Sequence, residues 1–420
     1  MSGPLAIRDG RLADLAALEE GPLARVLQAL DGRGEETRLV GGAVRDLALG
    51  EKPGDFDLAT TARPETVMKR ARAAGFGVAP TGLAHGTVTV VVEGQPFEVT
   101  TLRRDVETDG RRAKVAFGRD FAADALRRDF TINALSLGRD GTVHDYAGGL
   151  ADLAARRVRF IGDPRQRIRE DYLRILRFFR FSARYGEGAL DADGFRAAVE
   201  EREGLAILSR ERVRAELLKL LTAPRASDVV TAVCEAGLLS PLLGSLTDPA
   251  RFRRLAAIEA RRGSAPDALL RLAALCLRVA EDAERLRERL RLSNAEFDRL
   301  AILAAALPGL HGFAIPPPFG ALRLVLFERR RQGALDALSI AHADSGAAAD
   351  DRRFAAAYRF LLETPEPSLP ITGADVLARG VAGGRRVGAI LKSFQALWIR
   401  AGFPREPEVL ARLLDQAIEG

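Results

Sequence analysis

The sequence predicts an α+β protein: a mixed α/β unit up to about residue 150, then a remainder made of helices alone. Three observations carry this. Runs rich in β-branched residues, at 87–92 and 97–102, occur only in the first third and are separated by a short turn containing Glu93 and Gly94. After about residue 155, apolar residues recur at helical spacing, through Ile168, Ile175, Leu176 and Phe179 and again through Val213, Leu217 and Leu220. The chain has 420 residues, 47% of them hydrophobic, which is enough for two to four units with real cores.

Taken in order, residues 1–35 are expected to be a helical N-terminal segment, and Gly41-Gly42 opens a short helix. Pro64 suits a first helical position, and Gly75 ends the helix that follows. The two β-runs then form a hairpin. The stretch 103–117 (RRDVETDGRRAKVAF) is polar, charged and contains Gly, and is expected to be a mobile loop. Breaks between later helices fall near Pro224, at 316–318 and across 365–370, and Ser293 with Glu296 spells a capping box. The expected domains are 1–35, 36–150, 151–225 and 226–420.

Composition excludes several classes. Cys234 and Cys276 stand in apolar helical contexts away from other thiols, which argues against disulfide frameworks and zinc ribbons. With no signal-like N-terminus and no apolar run of spanning length, a cytoplasmic protein without membrane partners is expected. The formal charge of +6, carried mainly by arginine, favours a polyanionic partner. There is no P-loop, Gly-x-Ser-x-Gly elbow or Cys-x-x-Cys.

The stretch LVGGAVRDLALGEKPGDFDLAT, residues 39–60, concentrates the chemistry. Asp55 and Asp57 lie two apart in a strand-like context, which puts both carboxylates on one face, as sharing divalent cations requires. Glu98, from the β-run at 97–102, can add a third. Such a set suits Mg²⁺-assisted phosphoryl transfer. Gly41-Gly42 lets backbone N–H groups approach a phosphate, and Arg45, one turn on, adds a fixed positive charge.

The series Gly41-Gly42-Ala43-Val44-Arg45-Asp46 followed by Asp55-Phe56-Asp57 resembles the first motif of the class II tRNA nucleotidyltransferases and bacterial poly(A) polymerases, in the polymerase-β-like superfamily. Arg127-Arg128-Asp129-Phe130-Thr131-Ile132-Asn133-Ala134-Leu135 resembles the second. There the family's arginine and aspartate serve the nucleotide's phosphates and ribose, which implies roles for Arg128 and Asp129. Asp145-Tyr146-Ala147-Gly148-Gly149 with Asp152-Leu153 resembles the third, a hinge, with Tyr146 where the family commonly has Pro. Leu208 to Val213 resembles the fifth, with Ser209 as N-cap. The resemblance runs over about residues 36–225. It implies a polymerase-β-like head followed by a helical neck, body and tail, and a flexible loop at 103–117 that helps the switch from C to A addition.

Glu170-Asp171-Tyr172-Leu173-Arg174 resembles the fourth motif. On one helix, Asp171 and Arg174 share a face, the first accepting hydrogen bonds and the second donating them. Cytosine and adenine both present an amine donor beside a ring-nitrogen acceptor. Uracil and guanine present the reverse and would leave buried groups unpaired. Arg177 and Arg180 continue the spacing toward phosphate. The implied activity is addition of C, C and A to tRNA from CTP and ATP. A poly(A) polymerase and a noncatalytic RNA-binding protein on the same fold are the alternatives. The segment 80–90 lies closer to the CCA enzymes than to the polymerases' Gly-Arg-Arg-Phe type. Of the four histidines, His85 alone is a candidate near the site, while Trp398 and Phe394 are expected in the core. The arginine clusters at 251–254, 285–289 and 329–331 read as solvated faces or tRNA contacts.

Overall fold

The computed structural model describes residues 5–420 except 15, 33, 84, 85, 110, 111 and 311, and no side chain at 17 or 104–116. His85 and His311 therefore lie outside the described residues. Its backbone divides into a unit of residues 1–209 with 223–229 and a unit of 210–222 with 230–420.

The strands are β1 (Ile7–Arg8), β2 (Arg11–Leu12), β3 (Thr37–Val40), β4 (Asp57–Thr60), β5 (Gly77–Gly82), β6 (Thr87–Val92), β7 (Gln95–Thr101), β8 (Arg103–Asp109), β9 (Arg112–Phe117), β10 (Leu135–Leu137) and β11 (Val143–Asp145). The helices up to residue 185 are α1 (Ala16–Glu19), α2 (Gly21–Leu30), α3 (Gly42–Ala48), α4 (Pro64–Ala73), α5 (Phe121–Leu126), α6 (Gly149–Ala154), α7 (Pro164–Glu170) and α8 (Leu173–Tyr185). Seven strands form one sheet in the order β11-β10-β3-β4-β7-β6-β5, and every neighbouring pair is antiparallel except β4 with β7.

Sequence alternation accounts for the sheet. Val88, Val90 and Val92 of β6 are buried and the residues between them are partly open, so one face packs inward. Glu93 and Gly94 both take positive φ, which makes the tight turn to β7. Helix α4 begins at Pro64 and stops before Gly75, as the sequence predicts. The expectation at 103–117 is corrected: β8 and β9 pair antiparallel from Arg103 with Phe117 to Asp109 with Arg112. Charged residues mask their alternation, and cross-strand hydrogen bonding supplies what composition conceals. The segment 1–35 likewise begins with the β1–β2 hairpin before its helices.

Phenylalanines tie the second motif to α8. The Phe130 ring lies 4.8 Å from Phe160 and 5.3 Å from Phe181, and Phe160 stacks on Phe178 at 5.4 Å. Such clusters fix helix orientation more tightly than aliphatic contacts, because ring geometry is specific.

The described residues of the second unit form helices joined by loops, with no strand among them. Ser293 caps its helix as expected, its hydroxyl accepting from Glu296 N–H at 3.3 Å while Glu296 accepts from Ser293 N–H at 2.7 Å. Trp398 and Phe394 are core residues. Two basic clusters are not simply solvated. Arg251 is buried and donates to the Ala274, Ala273 and Leu277 carbonyls at 2.6, 3.1 and 2.8 Å, closing the C-terminus of the Ala268–Cys276 helix. Arg331 does the same for the Arg352–Glu363 helix through the Leu361, Leu362 and Thr364 carbonyls.

Candidate active site

Asp57 opens β4, and the parallel register with β7 sets it directly against Glu98, so both side chains leave one face of the sheet. Asp55 stands two residues before the strand, so strand alternation does not place it there. Both of the other carboxylates still act on Asp57. Part of Asp57 reaches solvent, yet partial burial first, then the Glu98 carboxylate, and last Asp55, push its carboxyl above the ordinary value, with Arg128 pulling the other way. Among the described residues, no group of three or more His, Cys, Asp or Glu converges into a metal-holding cluster, so Glu98 adjoins the pair without completing one. The donors fit a hard divalent cation: all are carboxylate oxygens, and a cation would relieve the repulsion that, after burial, raises Asp57.

The diglycine divides its work. Gly41, not Gly42, takes the left-handed φ of 69°, and a Cβ there would stand 2.6 Å from Arg128 Nη1. Only glycine lets the Arg128 guanidinium lie against this turn. Gly41 N–H is already given to the Leu135 carbonyl at 3.0 Å, so the amides without a partner inside the helix are those of Gly42, Ala43 and Val44.

Arg45 is buried, not an open cation. It donates to Asn133 Oδ1 at 2.6 Å and to Asp46 Oδ1 at 2.9 Å, and its guanidinium lies 4.0 Å from the centre of the Tyr185 ring. Asp129 is also buried. It accepts from Arg177 Nε at 2.7 Å, from Asn133 Nδ2 at 3.0 Å and from Phe130 N–H at 2.9 Å. Burial raises the Asp129 carboxyl, but Arg177 and Asn133 outweigh it and hold it below the ordinary range. Arg180 lies over Phe181 at 4.2 Å. Arg128 bonds Asp124 at 3.1 Å.

The proposed base readers do not share one helix. α7 ends at Glu170, Asp171 is extended at φ −157° and ψ 104°, and α8 begins at Leu173. Asp171 Oδ1 accepts from Leu173 N–H at 3.1 Å, so its own carboxylate helps to break the helix that the spacing suggests. Arg174 donates to the Arg167 carbonyl at 2.8 Å and also to Glu170. Tyr172 packs so closely on Gly204 that a Cβ there would fall 1.9 Å from its ring.

The sequence matches the poly(A) polymerase head domain over residues 37–159 and, over 190–248, a domain described as the probable RNA and SrmB-binding site of polymerase A. It is 35% identical over 383 residues, 89% of this chain and 85% of the relative, to the mitochondrial CCA tRNA nucleotidyltransferase 1 of Mus musculus. The chain belongs to the CCA-adding tRNA nucleotidyltransferases of the poly(A) polymerase family.

A CCA-adding enzyme of Leuconostoc citreum is 40% identical over 224 residues, 53% of this chain and 54% of that one. The crystal structure of the Bacillus stearothermophilus CCA-adding enzyme in complex with CTP superposes with a TM-score of 0.73 at 30% identity, over 93% of this chain and 95% of that one. Against this family background, the structure gives partners to two buried groups that the motifs contain but to which sequence reading assigned no role. Asn133 bridges Arg45 to Asp129. Asp152, in the hinge-like motif, accepts from Thr131 Oγ1 at 2.6 Å, Arg157 Nε at 2.7 Å and Arg159 Nε at 3.0 Å. For Asn133 the signals were its place in the second motif and a polar residue inside an apolar run.

Proposed function

We propose that this chain adds C, C and A in turn to the 3′ end of tRNA, using CTP and ATP without a template and releasing pyrophosphate. The observation that carries this is the parallel β4–β7 register that sets Asp57 against Glu98, with Glu98 and Asp55 both acting on Asp57 beside Arg128. The relative solved with CTP supports the substrate class.

Asp55 and Asp57 would hold Mg²⁺ with Glu98 alongside; when bound, the cation supplies activation of the 3′-hydroxyl and neutralisation of the triphosphate. Arg128 and the first-turn amides at Gly42 receive phosphate oxygens. Arg45 keeps that turn in place, Asp129 paired with Arg177 meets the ribose, and Arg180 adds positive charge. Asp171 accepts from the exocyclic amine and Arg174 donates to the ring nitrogen, so C and A satisfy the pair while U and G face like with like. Under this division, 36–150 performs the chemistry, 151–225 reads the base, and 226–420 carries tRNA contacts. Cytoplasmic residence belongs to the same proposal, and no described helix is long and apolar enough to cross a membrane.

The test is the double change Asp55→Ala with Asp57→Ala. Incorporation into a tRNA lacking its 3′ terminus should vanish while tRNA affinity holds. Undiminished incorporation would refute the assignment.

A further inference from the structure

We propose that Asn133 is a positioning residue for nucleotide addition, its carboxamide holding the first motif's Arg45 and the second motif's Asp129 at one spacing. The inference rests on the function proposed above. Asn133 is only 7% exposed and both ends of its amide are used, Oδ1 accepting from Arg45 Nη1 at 2.6 Å and Nδ2 donating to Asp129 Oδ1 at 3.0 Å. The other Asp129 oxygen accepts from Arg177, and the Asn133 main-chain carbonyl accepts from Arg128 at 3.4 Å. One residue in the short turn Thr131–Asn133 thus links the guanidinium groups of residues 45, 128 and 177.

The chemistry at this position is restrictive. One side of the group must accept from a cation, and the other must donate to a carboxylate. A carboxamide does both. A carboxylate would satisfy Arg45 but oppose Asp129 where water is largely excluded, and an apolar residue would leave both neighbours short of a buried partner. Asn133 bonds to Asp129, assigned to the ribose, and to Arg45, which holds the phosphate-facing turn, and not to the nucleotide itself, so it acts through those two residues.

The experiment uses the full chain and a tRNA lacking its 3′ terminus. It compares wild type, Asn133→Asp, Asp129→Asn and the two changes combined, reading KM for CTP, kcat and the thermal midpoint. Asn133→Asp should raise KM for CTP by about tenfold or more, with a smaller change in kcat. In the combined variant one donor again faces one acceptor, so its effect should be smaller than the two single effects multiplied. An unchanged KM in Asn133→Asp overturns the proposal, as do strictly multiplicative effects. A loss of kcat that follows the folded fraction at constant KM overturns it too, because that is a structural role alone. Should Asn133→Asp fail to fold, Asn133→Ser is read for the same KM-against-kcat split. Wild type that incorporates no CTP would sink the proposed function itself, whereas active wild type beside an indifferent Asn133→Asp sinks only this inference.

Discussion

Asp171 and His342 show how much one side chain's surroundings decide. Asp171 lies where α7 gives way to α8, beside Arg174, and the base choice proposed above depends on its accepting character. Asp171→Ala should therefore relax discrimination against UTP and GTP while leaving incorporation of CTP measurable, checked by competition between nucleotides on one tRNA; intact selectivity would remove Asp171 from base reading. His342 is buried with its ring stacked 4.0 Å from Phe354, Nε2 against the Ala348 carbonyl at 2.9 Å and Nδ1 without a partner. Burial pushes its pKa below the ordinary 6.5. A folded value below the unfolded one means that the neutral ring's contribution is fully present above about pH 6.5 and is lost as pH falls through the folded value. The thermal midpoint should drop over that acid window in wild type and drop less in His342→Phe.

Among the elements, the α7–α8 break is sensitive to added volume. Tyr172 sits against Gly204 with no room for another atom. Gly204→Ala must displace that ring, at a cost of about 1–3 kcal/mol, and with it the residues on either side that are proposed to read the base. A lower melting midpoint together with a raised KM for CTP is the expected result, and a change in neither would show that the contact positions nothing. Sequence spacing could not foresee the break, because Glu170 to Arg174 reads as continuous helix and only the Asp171 carboxylate bonded to Leu173 N–H shows otherwise. The β8–β9 pair escaped for a related reason: alternating charge looks like loop until the two strands find each other. The β6–β7 hairpin and α4 were legible because local rules for valine runs, Gly turns and Pro starts agree there with the final packing.

For the whole chain, the formal charge of +6 predicts that tRNA binding rests largely on phosphate contacts. Affinity should fall at least about tenfold as salt rises from roughly 50 to 200 mM, measured by filter binding; salt-independent binding would contradict it. The order of addition is read from a time course with CTP alone, ATP alone and both. CTP alone should extend the tRNA by two residues and ATP should complete it, while tailing by ATP alone would favour poly(A) addition instead. Arginine counts carry less information than they suggest, since Arg251 and Arg331 are taken up by helix C-termini.

The residue types and their spacing determined the chemistry: acidic side chains two apart, a diglycine, a second arginine-aspartate motif, and an α+β order with helices last. Tertiary structure decided which of these groups are open to a nucleotide and which are tied to each other. Asp57 meets Glu98 only through a parallel strand pair. Arg45, Asn133, Asp129 and Arg177 form one chain only because α3, the 131–133 turn and α8 converge. Periodicity reports a residue's neighbours within its own element, and a buried charge finds its partner across elements.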